Sequence, residues 1–125
     1  MKKILGFALV AALLTAVVIT LTQSTSNPVA AQPVSHVSRL QQTVESLQGK
    51  LNRVPADASG WARLGGSYVE LARVTADPTY YAKAQGALDR SLKIQPEANG
   101  EAMIGMGALA NARHDFTAAK GWGTR

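Results

Sequence analysis

Trp61, Leu64, Tyr68 and Leu71 recur at spacings of 3, 4 and 3, which places four large side chains on one face of a helix. Gly65 sits beside that face without a side chain, so a partner helix can approach its backbone closely. Further along, Ala84 offers a similarly small contact surface, and Leu88 fills the groove beside it. Ser91 follows three residues after Leu88, and Pro96 closes the second helix. Helices that meet through Gly65, Ala84 and Leu88 can approach closely. The sequence between them, Val74 to Tyr81, holds Asp77-Pro78, which reads as a helix start with Asp as N-cap and Pro at the first helical position. Tyr80 and Tyr81 read as packing residues.

An earlier stripe has the same period. Val37, Leu40, Val44, Leu47, Leu51 and Val54 recur at 3, 4, 3, 4 and 3, and polar residues fill the other faces. The stripe is shorter than the three or four heptads a coiled-coil seam needs, so it is expected to pack onto the helices that follow. Pro55 ends that helix and Asp57 caps the next. A weaker copy of the Trp61 helix begins near Gly100. There Met103, Met106, Gly107 and Ala110 take the places of Trp61, Leu64, Gly65 and Tyr68. His114-Asp115 makes a turn, after which Phe116 and Ala119 open a second helix about two turns long.

Trp61-Ala62-Arg63-Leu64-Gly65-Gly66-Ser67-Tyr68 matches W-x2-L-G-x2-Y, and Ala84, Leu88 and Pro96 fall at the spacings of the second half of the same pattern, with Leu for Phe. Over about residues 38 to 125 the chain resembles the tetratricopeptide repeat family. In particular it resembles exported, membrane-anchored bacterial members and the extracytoplasmic repeat domain of cytochrome c biogenesis proteins. The resemblance implies an all-α fold of antiparallel helix-pair repeats, a short α-solenoid, preceded by an N-terminal hydrophobic helix. Its order is a half repeat over 36–55, a repeat over 56–99 and a truncated repeat over 100–125. The repeat core is expected at Trp61, Leu64, Gly65, Tyr68, Ala84, Leu88, Pro96, Gly107, Phe116 and Ala119.

The N-terminus reads as an address. Lys2-Lys3 precedes an uncharged run from Ile4 to Leu21. Its eighteen residues span about 27 Å as a helix, against a hydrocarbon core of about 30 Å. The basic flank keeps the N-terminus in the cytoplasm and sends the rest outward. Residues 1–21 are therefore a signal anchor or a signal peptide, with a cleavage site near Ala31 as the alternative to retention. Residues 22–35, polar and carrying Pro28 and Pro33, read as a flexible linker. Expected localisation is the cell membrane, single-pass, with the C-terminal domain outside the cytoplasm, or secretion after cleavage.

Chemistry is sparse. With no Cys and two His among 125 residues, the chain lacks a disulfide framework, a thiolate metal site and a Cys nucleophile. The net charge of +5 is spread among alternating acids and bases, without the clustered Lys and Arg of a nucleic-acid face. Gly105-Met106-Gly107-Ala108-Leu109-Ala110 fits G-x-G-x-x-A formally, but no βαβ unit surrounds it. These glycines are better read as sites of close helix packing. His114-Asp115 lacks a nucleophile or ligand set around it, and no cofactor or metal is expected.

The expected function is therefore a membrane-tethered or exported scaffold that binds a protein or peptide segment on a concave face, without catalysis. Helical phase points to Arg63, Ser67, Glu70 and Asn111 as the residues on that face. The alternatives are a fragment of a longer multi-repeat protein and a module of the cytochrome c maturation type. Self-association through the incomplete C-terminal repeat is a further expectation.

Overall fold

A computed structural model describes residues 35–125, and all regular structure among them is helical. The expected signal segment, its cleavage site and the linker up to residue 34 lie outside the described residues. The order is α1 (His36–Arg53), α2 (Ala58–Thr75), α3 (Thr79–Ile94), α4 (Gly100–Ala112) and α5 (Phe116–Gly123). Among the described residues, no helix is long and apolar enough to cross a membrane.

Each helix start has a local chemical cause. Ser35, Asp57, Asn99 and Asp115 each accept a hydrogen bond from a backbone N–H of the first turn, donors that would otherwise lack partners. Before α3 the capping atom is the Asp77 carboxylate, which accepts from the Thr79 N–H at 2.9 Å. Pro78 already has helical angles of φ −69 and ψ −12, so its fixed ring geometry opens the helix. Three of these caps follow a residue in the left-handed region, Ala76 at φ 53, Ala98 at φ 53 and His114 at φ 60. Helix exit and re-entry are thus made in a few residues, at the steric cost of a Cβ in that region.

Packing follows the apolar faces. The end of α1 meets the start of α2 in an antiparallel pair, with Leu51 beside Gly60 and Lys50 paired to Asp57 at 2.6 Å. Val44, Leu47 and Leu51 are buried there. Val54, expected in the same stripe, is 50% exposed. It follows the last helical residue and precedes Pro55, so the chain has left the helical phase that buries Leu51.

The α2–α3–α4 contact is centred on one side chain. Leu88 is fully buried, and a Cβ placed on Gly65 of α2 would lie 2.5 Å from its Cγ. A Cβ on Gly105 of α4 would lie 2.5 Å from its Cδ2. Leu88 is therefore held between two glycines on two different helices. The sequence marks Gly105 only as a general packing glycine, and the structure gives it Leu88 as its partner. Polar groups complete the junction. Ser91 Oγ donates to Ala58 O at 2.7 Å, and Asn99 Nδ2 donates to Ser91 Oγ at 3.0 Å and to Gln95 O at 3.1 Å. Both side chains are buried, and no buried side-chain N or O among the described residues lacks a partner.

These contacts also define direction. Tyr81, near the start of α3, donates to Ala112 O at the end of α4 at 3.2 Å, whereas Ser91 and Asn99 join the opposite ends, so the two helices run antiparallel. Ser59 at the start of α2 donates to Glu101 at the start of α4, so those two run side by side in the same direction. α5 returns along α4, with Trp122 Cβ 3.6 Å from a Cβ placed on Gly107 and Ala119 O at 3.9 Å.

The residues expected in the repeat core do not share one environment. Leu64, Tyr68, Ala84 and Leu88 are 7% exposed or less. Trp61 is half-buried, and its indole Nε1 donates to Pro55 O at 2.9 Å. Ala119 is half-buried and Pro96 is exposed directly after the end of α3. Phe116 requires correction. It is 64% exposed, because it opens α5 and no described element covers that side, leaving only the His114 ring edge-on at 6.0 Å.

Candidate functional site

Arg63, Ser67 and Glu70 recur at 4 and 3 along α2, on a face turned away from the Leu64–Leu71 stripe. That face lies between two depressions. One, of about 520 Å³, is bounded by Arg39, Gln42, Thr43, Ser46, Leu47 and Lys50 of α1 and by Arg63 of α2. The other, of about 430 Å³, lies between α2 and α4 and is lined by Gly66, Val69, Glu70, Arg73, Ala108, Asn111, Ala112 and His114.

The four residues expected on a binding face are therefore distributed. Arg63 belongs to the α1–α2 depression, while Glu70 and Asn111 face each other across the α2–α4 depression. Ser67 lines neither, and its hydroxyl is spent on Arg63 O at 2.9 Å. Gly66 lines the second depression, and a Cβ placed on it would meet nothing within 4 Å. A glycine inside a helix costs about 1 kcal/mol relative to Ala, and at Gly66 no packing contact accounts for that cost.

Charge differs between the two depressions. Glu70 is held by Arg73 at 2.5 Å, so the α2–α4 depression carries a closed ion pair. In the α1–α2 depression Lys50 pairs with Asp57 at 2.6 Å. That Lys50 contact, followed by the Gly60 N–H, lowers the Asp57 carboxyl from its ordinary value, with nearby Arg63 adding to the same direction and desolvation opposing it. Arg39 and Arg63 make no ion pair among the described residues.

A third cleft, of about 530 Å³, opens on the far side of α2. Trp61 and Tyr68 face Lys83 of α3 across it, with Gln48 and Asn52 of α1 at its edge. Lys83 Nζ lies 5.0 Å from the Tyr80 ring centroid and 6.0 Å from that of Tyr68, and the two tyrosine rings stack at 6.0 Å. Gln48 Nε2 donates to Tyr68 Oη at 2.7 Å. Sequence reasoning missed Gln48, Asn52 and Lys83. The available signal was Gly86, a mid-helix glycine in α3 whose absent Cβ would meet nothing within 4 Å.

The arrangement suits recognition by charge and hydrogen bonding. His114 and Asp115 do not form an acid–base pair, since Asp115 Oδ1 accepts from the Ala118 N–H at 3.0 Å as a helix cap. Among the described residues no three His, Asp or Glu side chains come together as a metal-holding group. Compared with protein-family models, with curated proteins and with solved structures, the chain matches none.

Proposed function

We propose that the chain is a short tetratricopeptide-like scaffold that binds a protein or peptide segment along the α1–α2–α4 face, exported and tethered through residues 4–21. One observation carries the reading. The solvent face of α2, from Arg63 to Glu70, borders two depressions, and Gly66, a helix-interior glycine at which a Cβ would meet nothing within 4 Å, lines the one against α4. A glycine there admits a guest backbone that a larger side chain would exclude.

The repeat register supports the same reading. Ser59 and Glu101, 42 residues apart, meet at the start of parallel α2 and α4. Asp57 and Asn99, the caps of those helices, are separated equally, as are Trp61 and Met103 and the pair Gly65 and Gly107. Gly65 approaches Ala84 O and Gly107 approaches Ala119 O in matching fashion. A parallel pair of first helices, each followed by an antiparallel second helix, is the unit from which concave repeat surfaces are built.

The test is to pan a random peptide library on the full chain in detergent micelles and repeat the binding with Gly66→Gln. Selected peptides should lose affinity for the variant while its circular dichroism is unchanged. Peptides that bind both proteins equally would place recognition elsewhere. A second reading, self-association through α4–α5, rests on Ile104 at 75% and Phe116 at 64% exposure. Sedimentation of the full chain separates the two, since Phe116→Ser should then restore a monomer.

A further inference from the structure

We propose that the depression between α1 and α2 takes an acidic peptide segment, held by Arg39 and Arg63 in an extended conformation. The proposal rests on the reading of the α1–α2–α4 face as a binding surface and names the chemistry of its partner.

Three cations line this depression and no carboxylate does. The nearest acid, Asp57, is engaged by Lys50 at 2.6 Å and by the Gly60 N–H at 2.9 Å, so it neutralises Lys50 and leaves Arg39 and Arg63 for a guest. Leu47 is the one apolar lining residue and is itself 7% exposed. Affinity here must therefore come from charge and hydrogen bonds rather than apolar burial. Thr43 gives its hydroxyl to Arg39 O at 2.9 Å, which leaves Gln42 and Ser46 as the polar side chains beside the arginines.

Dimensions select among anions. Arg39 and Lys50 are eleven residues apart on α1, or about 16 Å along the helix. An extended peptide advances about 3.3 Å per residue, so four or five residues fill the trough, with their carboxylates taken by Arg39 and Arg63 and none required at Lys50, which Asp57 already neutralises. A recess between two helices fits one extended chain. A bilayer surface or a nucleic-acid duplex would instead require a projecting, broadly basic face, whereas this recess offers two arginines that make no ion pair among the described residues. Guanidinium groups also pair carboxylates bidentately, which favours a carboxylate-bearing guest.

The experiment is fluorescence anisotropy of the full chain in micelles with a labelled hexapeptide bearing glutamates at its first and fifth positions among Ala and Ser. Affinity should fall several-fold when NaCl rises from about 50 mM to about 300 mM, because exposed charge pairs are screened. Arg39→Gln with Arg63→Gln should weaken binding by about tenfold or more, while Lys83→Gln in the third cleft should leave it unchanged. Both arginines are exposed, and circular dichroism confirms that the variant folds. Equal binding of a lysine-bearing hexapeptide, or stronger binding of vesicles containing phosphatidylglycerol, would overturn the proposal. Loss on Lys83→Gln but not on the arginine pair would overturn it too. If the acidic peptide fails while library-selected neutral peptides bind in a Gly66-dependent way, the acidic partner is refuted and the binding face stands. If neither binds, the face itself is refuted.

Discussion

Leu88 between Gly65 and Gly105 gives the strongest quantitative expectation, because the same alanine substitution meets three different environments. In Gly65→Ala the new Cβ lies 2.5 Å from Leu88 Cγ, 2.8 Å from its Cδ2 and 3.3 Å from Ala84 O. Ordinary carbon–carbon contact is about 3.5–4.0 Å, so a gap of about 1 Å must open. Cγ is a branch point and Ala84 O is backbone, so α3 itself has to move. Overpacking costs about 1–3 kcal/mol, and the better helix propensity of Ala returns up to about 1 kcal/mol. The net expectation is a loss of about 1–2 kcal/mol, or several degrees in Tm for a domain of this size. In Gly105→Ala the contact at 2.5 Å is with the terminal Cδ2 of Leu88, which turns aside more cheaply, so the net change should be near zero. Gly66→Ala meets nothing within 4 Å and should gain about 0.5–1 kcal/mol from propensity and a more restricted unfolded chain. Leu88→Ala alone should cost about 2–5 kcal/mol, and in that background Gly65→Ala should lose its penalty. The double-mutant cycle then shows a coupling of about 1–3 kcal/mol. Urea unfolding of the full chain, followed by circular dichroism, measures all five variants. If Gly65→Ala proves as stable as Gly66→Ala, or the cycle is additive, the account of the helix junction is wrong.

Ser91→Ala should cost about 1 kcal/mol by thermal unfolding, since it removes the buried hydroxyl's bond to Ala58 O and takes one acceptor from Asn99 Nδ2, while Ala58 O keeps its bond within α2. Ala98→Gly should stabilise by about 0.5–1 kcal/mol, because Ala98 sits at φ 53 where a Cβ is strained and glycine is not. Asp57 is held below its ordinary value of 3.8, chiefly by Lys50 and then by the Gly60 N–H. Its contribution is therefore complete above 3.8 and is lost as pH falls through the lower folded value. Asp57→Asn keeps a capping oxygen and should flatten the acid limb of urea stability between about pH 5 and about pH 2. Phe116→Ser should shift stability by less than about 0.5 kcal/mol, as expected for an exposed residue.

The helices were legible where period and punctuation agreed. The Val44–Leu47–Leu51 and Leu64–Tyr68–Leu71 stripes mark buried faces at helical spacing, and Pro55, Asp57 and Asp77-Pro78 stand where chain direction changes. The Leu88 contact with Gly65 was readable because a glycine beside an apolar stripe invites a neighbour. Its second contact, with Gly105, was not, since period alone does not say which helix a face meets. The Ser91–Asn99 network was half visible. Ser91 falls three residues after Leu88 on an apolar face, and a polar group at such a position requires a partner. The sequence does not say that Asn99, eight residues on, supplies it. Phe116 is hydrophobic but stays outside the core, because burial also needs a covering element. On the candidate face, helical phase found Arg63 and Glu70. It could not divide them between two depressions, and it missed Arg39 and Lys50, whose role depends on how α1 lies against α2.

Backbone-amide chemical-shift mapping of the full chain in micelles, titrated with the glutamate hexapeptide, tests the site between α1 and α2 most directly. The account predicts saturable shifts concentrated from Arg39 to Lys50 and from Arg63 to Glu70, with little change around Trp61 and Lys83. Shifts centred on Trp61 and Lys83, or none that saturate, would contradict it.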